Sequence, residues 1–279
     1  MVWTERQRLM LQEMGLRVWG PVAAGEAGAA LPAHPVEAAE PQTGAGPVPA
    51  AARTPKAAAP TAAAPETEVV PVPVQGDRAR TIATLQWPAL REAVAACTAC
   101  GLCQGRRQTV FGVGHVNAHW MIVGEAPGEQ EDLKGEPFVG AAGQLLDNML
   151  RALHLTRAEG QPERQVYIAN TLKCRPPRNR NPDPEELAQC EPFLMRQIEL
   201  IRPRLILAMG RFAVHALLRT QEPIGKLRGR VHRYQGVPLV VTYHPAYLLR
   251  NLADKARAWD DLCLAAQTVD SAGTSPSMP

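Results

Sequence analysis

Four short, nearly continuous apolar runs punctuate the C-terminal part of the chain: Trp120–Gly124 (WMIVG), Val166–Asn170 (VYIAN), Leu205–Met209 (LILAM) and Leu239–Thr242 (LVVT). Runs of this kind suit strands buried on both faces of a parallel sheet. Between them, apolar positions fall at helical spacing over about 81–97, 142–154, 184–201, 211–219 and 254–267. Asp183-Pro184-Glu185-Glu186 is a helix-starting signal, with proline inside the first turn and acids beside it. The alternation predicts an α/β domain over residues 77–268: three layers, α/β/α, around a central four-stranded parallel sheet. Ligands of such sheets bind beyond the carboxyl ends of the strands. The segments that follow the four strands are therefore the places to look for chemistry.

The pattern changes upstream. Residues 1–19 carry Leu9, Leu11, Met14, Val18 and Trp19 at roughly helical spacing and read as a short amphipathic helix. It either packs on the domain or docks a partner protein through Trp3, Leu11 and Trp19. Residues 20–76 are rich in Ala, Pro and Gly and are expected to be a disordered linker, as is the tail 269–279. Much of the chain's 26 prolines lies in that linker. Charge divides along the same boundary: residues 1–76 hold five Lys/Arg against seven Asp/Glu, while the rest is net basic. A basic domain is compatible with a polyanion. No apolar run is long enough to cross a membrane, and no signal peptide is read at the N-terminus, so a cytoplasmic protein is expected; it is also expected to be a monomer.

Thiols stay reduced in that compartment, so six cysteines call for a metal rather than disulfides. Cys97 and Cys100 form a C-x-x-C pair, with Cys103 offering an overlapping one; Cys174 and Cys190 follow far downstream. Four thiolates from two segments suit either zinc or an iron–sulfur cluster. Cys263 falls on an apolar helix face and reads as a core residue. Three strand ends are unusual. The first runs into Gly124-Glu125-Ala126-Pro127-Gly128, and a second turn, Gly135-Glu136-Pro137-Phe138-Val139-Gly140, presents one aromatic. Another ends on Asn170 and continues into a rigid cationic loop with Arg175, Arg178 and Arg180, suited to phosphate contact. The last ends at His244, followed by Leu248, Leu249 and Arg250. A histidine at a strand terminus is a candidate for acid–base work.

Taken in order, CTAC, VFGVG, MIVGEAPG, EDLKGEPFVGAAGQLL, VYIANTLKCRPP and HPAYLLRN closely resemble the family 4 uracil-DNA glycosylases over roughly residues 85–266. The resemblance implies excision of uracil from single- or double-stranded DNA, leaving an abasic site. It also implies a [4Fe–4S] cluster on Cys97, Cys100, Cys174 and Cys190, with Cys103 a rival. By the same resemblance, Phe138 stacks on the flipped uracil and Asn170 reads its Watson–Crick edge. Gly124, Glu125 and Ala126 form the turn beneath base and sugar, Glu125 being the catalytic carboxylate. His244 donates to the uracil O2, and Leu248, Leu249 and Arg250 press into the minor groove. Ala126 stands where family 1 enzymes place an aspartate, so their water-activating arrangement is not copied. Two other readings remain: a relative that traps uracil covalently through a histidine in an inserted loop, and a non-catalytic DNA-binding module. The short loop Arg178–Pro182 has no histidine, which favours turnover.

Overall fold

The computed structural model describes residues 76–161 and 163–273. The docking peptide and linker read at 1–76 lie outside these residues, save for Gly76, and so does the end of the tail. The described chain forms, in order, α1 (Asp77–Thr84), α2 (Trp87–Ala95), β1 (Val113–Gly114), β2 (Trp120–Gly124), α3 (Glu129–Lys134), α4 (Ala141–Ala152), β3 (Val166–Asn170), α5 (Pro184–Ile201), β4 (Leu205–Met209), α6 (Arg211–Leu218), α7 (Ile224–Leu227), β5 (Val231–Tyr234), β6 (Val237–Thr242), α8 (Pro245–Leu248) and α9 (Asp254–Gly273).

The sheet has six strands rather than the four expected, in the order β1-β3-β2-β4-β6-β5. The four apolar runs are its parallel centre, β3-β2-β4-β6. The two additions are antiparallel edge strands: β1 pairs with β3, and β5 forms a hairpin with β6. Edges keep one side exposed, so β5 (VHRY) alternates exposed and half-buried residues instead of forming an apolar run. The helix expected at 81–97 is two helices. The chain is extended at Leu85 and Gln86, and Pro88, whose missing N–H is tolerated only in a first turn, falls at the start of the second helix. The last helix extends to Gly273, past the boundary expected at residue 268.

Alternate residues of the central strands face opposite layers, as the period of two requires. Trp120, Ile122, Ile168, Leu207 and Val240 pack against α4 and α9 through Leu146, Met149, Trp259 and Leu262. Met121, Val123, Ala169, Ile206 and Val241 pack against α5 and α6 through Leu194, Ile198, Val214 and Leu217. Covering both faces places Gly124, Asn170 and the residues after Met209 and Thr242 at one edge. The strand order reverses there: from β2 the chain goes first to β3 on one side, then to β4 on the other.

Candidate active site and cysteine cavity

At this edge a cavity of about 190 Å³ is lined by Glu125, Ala126, Pro127, Gly128, Glu131, Phe138, Ala142, Asn170, Asn179, Arg180 and His244, among others. The β2 turn, the Phe138 turn, the end of β3 and the end of β6 thus converge. Gly124 lies directly beneath: a Cβ there would sit 2.5 Å from Asn170 Oδ1 and 2.6 Å from Phe138 Cζ. Only glycine lets those two side chains come so close to the strand.

Phe138 has φ +55°, a left-handed conformation unusual for a large side chain. Its surroundings enforce it. A Cβ on Gly143 would overlap the Phe138 carbonyl, and Glu131 Oε1 accepts the N–H groups of Val139 (3.0 Å) and Gly140 (3.2 Å). Glu131 Oε2 takes the Gly128 N–H at 3.0 Å, so one carboxylate clamps both turns together. Sequence reading passed over Glu131, although its position three residues after Gly128 at a helix start is the spacing of a capping box. The Phe138 and His244 rings stack at 5.3 Å and 26°.

His244 caps α8. Its Nδ1 accepts the Ala246 N–H at 3.1 Å, which leaves the ring proton on Nε2. Loss of hydration, helped by the positive charge of Arg250 and opposed by Glu131, pulls its pKa down to about 4. The imidazole is therefore a neutral donor at physiological pH. Asn170 is 2% exposed, and its Oδ1 is buried without a hydrogen-bond partner. Burial raises the Glu125 carboxyl above the ordinary carboxylate value, with Arg211 opposing. The Glu125 main chain is fixed by Leu172 N–H (3.1 Å) and Thr171 Oγ1–H (2.5 Å). A neutral donor, an amide with an unpaired oxygen, an aromatic face and a carboxylate around one small cavity can hold and polarise a single nucleobase.

Residues 111–263 match the model of the uracil DNA glycosylase superfamily. The type-4 uracil-DNA glycosylase of Thermotoga maritima is 44% identical over 168 residues, which cover 60% of this chain and 84% of that protein. That of Archaeoglobus fulgidus is 43% identical over 164 residues, 56% of this chain and 79% of the relative. That of Pyrobaculum aerophilum is 42% identical over 185 residues, 63% and 90% respectively. The chain belongs to the type 4 uracil-DNA glycosylases.

The rim of this glycosylase's cavity differs from expectation at two points. Leu248, read as a residue pressed into DNA, has no exposed surface and packs in the core beside α4 and α9. The single turn of α8 turns it inward and leaves Leu249, 42% exposed, and Tyr247 facing out. Arg250 is exposed beside them, as is Leu252, which sequence reading did not single out. Arg180 reaches the cavity but is held by Glu186 (2.6 Å) and Asp183 (3.1 Å), so its charge is largely matched within the protein. Arg175 bonds Asn179 Oδ1 and lies 3.4 Å from Glu129, while Arg178 is exposed.

Five of the six cysteines gather as a group. Cys97, Cys100, Cys103, Cys174 and Cys190 line one cavity with Val94, Leu102, Leu172 and Phe193. Cys263 lies apart, packed against the core cluster. Donors reach three sulfurs: Arg106 Nη1 to Cys174 (3.2 Å), Arg78 Nη2 to Cys97 (3.5 Å) and the Lys173 N–H to Cys190 (3.2 Å). Burial pushes the Cys190 thiol up to about 12 and raises Cys174 and Cys100. Thiolates here need compensating positive charge. Among the described residues no three His, Cys, Asp or Glu side chains form a single-ion site, and the thiols surround a shared space instead. No described helix is long and apolar enough to cross a membrane.

Proposed function

We propose that the strand-end cavity is where this DNA-repair glycosylase holds a uracil flipped out of DNA and breaks its N-glycosidic bond. The observation that carries the assignment is the buried, unpartnered Oδ1 of the Asn170 amide, in one cavity with Phe138 and His244. A base in a duplex is inaccessible, so it is extruded at a cost of a few kcal/mol. The Phe138 face receives it. Asn170 Oδ1 then accepts from uracil N3–H, and the amide N–H donates to O4. Cytosine presents the opposite pattern and leaves polar groups unpaired. As the bond breaks, negative charge grows on the base and meets the His244 Nε2–H donor at O2. Positive charge grows on the sugar, where Glu125 offsets it and orients the attacking water. Arg175, Arg178 and Arg250 contact phosphates, and Leu249 fills the gap left by the base.

Cys97, Cys100, Cys174 and Cys190 would hold a [4Fe–4S] cluster. Charge-assisted donors to the sulfurs and an apolar wall are the surroundings such a cluster needs, and they support this reading. When bound, the cluster would supply a structural brace rather than a reagent. Held by these four residues, it would tie the segment after α2 to the loop after β3 and to α5, and so would order the Arg175–Arg180 loop.

The test is release of free base from oligonucleotides carrying a single U, T or C. Uracil alone should be released, leaving an abasic site. Release of cytosine at a comparable rate would sink the role given to Asn170.

A further inference from the structure

Lys173 takes no part in this chemistry, yet it is 1% exposed. Lysine is almost never buried so fully without a reason. Its Nζ donates to the main-chain carbonyl of Asn170 at 2.8 Å and to Gln197 Oε1 at 2.6 Å. Gln197, fully buried on α5, is oriented in turn: its Nε2 donates to the Phe111 carbonyl (2.9 Å) and to Tyr167 Oη (3.2 Å). Bonds from a dehydrated ammonium group are stronger and more directional than neutral ones. At the other end of the residue, the Lys173 N–H donates to Cys190 Sγ, and the Lys173 carbonyl accepts from Val110 N–H at 2.8 Å. One residue thus touches the cysteine cavity through its backbone and the last residue of β3 through its side chain.

We propose that Lys173 is a positioning residue for base recognition: with Gln197 it fixes the Asn170 main chain, and so the aim of the Asn170 amide, and it links that aim to the order of the cysteine cavity. The inference rests on the reading of Asn170 as the base-reading residue. Asn170 ends its strand, and the residues after it stay tied to the β2 end through Thr171 N–H to the Gly124 carbonyl (3.0 Å) and Leu172 N–H to the Glu125 carbonyl (3.1 Å). The ammonium group adds a side-chain restraint on the Asn170 carbonyl itself, and Gln197 keeps the ammonium from swinging away.

A double-mutant cycle tests it. Single-turnover uracil excision is measured for the wild type, Lys173→Met, Asn170→Ala and the double variant. DNA affinity and the visible absorbance of the cluster are recorded for each. Lys173→Met should lower the rate about 10- to 100-fold, the scale of a small misplacement of a catalytic contact. DNA affinity and cluster absorbance should hold. In the Asn170→Ala background the same change should have little further effect. Equal losses in both backgrounds show general damage to packing and overturn the inference, as does no loss in either. If Asn170→Ala alone excises at the wild-type rate, the base-reading role fails first and the inference with it. Should Lys173→Met not fold, Gln197→Met is run through the same cycle and judged by the same outcomes.

Discussion

Gly124→Ala is the smallest change that reaches the whole site at once. The added Cβ would sit 2.5 Å from Asn170 Oδ1 and 2.6 and 2.7 Å from Phe138 Cζ and Cε2, whereas ordinary contact begins near 3.4 Å. Both side chains must withdraw by roughly 0.8–0.9 Å, a shift on the scale that costs about 100-fold in rate when it displaces a group holding the substrate. Neither can give way freely. Phe138 is pinned by Gly143 and Glu131, and Asn170 by Lys173. The overlap should also cost about 1–3 kcal/mol of stability. Single-turnover excision with enzyme in excess, run well below the melting temperature, separates the two effects. A folded Gly124→Ala protein that excises uracil within about twofold of wild type would refute the close packing of strand, amide and ring as the basis of catalysis.

Other consequences follow from the same geometry. Because the His244 pKa is lowered to about 4 from 6.5, the unfolded chain binds its proton first on acidification. The stability it contributes is complete above about pH 6.5 and is lost as pH falls towards 4, by up to about 3 kcal/mol. Urea denaturation at a series of pH values should show this loss, and His244→Asn should flatten it. Leu248→Ala should cost about 2–5 kcal/mol of stability as a core truncation, read by thermal unfolding. Leu249→Ala should leave stability within about 0.5 kcal/mol and slow excision from duplex DNA more than from single strands. Replacing Cys97, Cys100, Cys174 or Cys190 by Ala should abolish bound iron and the cluster's visible absorbance, whereas Cys103→Ala should keep both; iron analysis decides between them.

The centre of the fold was legible because strands covered on both faces must be apolar throughout, and all four stand where the apolar runs put them. The edge strands were not legible by that rule. For β5 the signal lay instead in Gln235-Gly236, whose positive φ values of 48° and 86° make the hairpin turn. Glu125, Phe138, Asn170 and His244 converge because each terminates or follows a strand or turn at one edge. Sequence spacing could not tell Leu248 from Leu249: one short turn of helix decides which faces the core. Nor could it reveal that Arg180 folds onto Asp183 and Glu186, or that Lys173 folds back beneath Asn170, since those side-chain directions depend on where α5 brings Glu186 and Gln197.

A crystal structure of the protein with uracil and abasic-site DNA would show directly whether the base sits in this cavity. The base should lie on the Phe138 ring, with the Asn170 amide within hydrogen-bond distance of N3 and O4 and His244 Nε2 facing O2. Uracil bound elsewhere, for instance in the cavity of about 310 Å³ lined by Leu187, Leu194, Phe212 and His215, would contradict it.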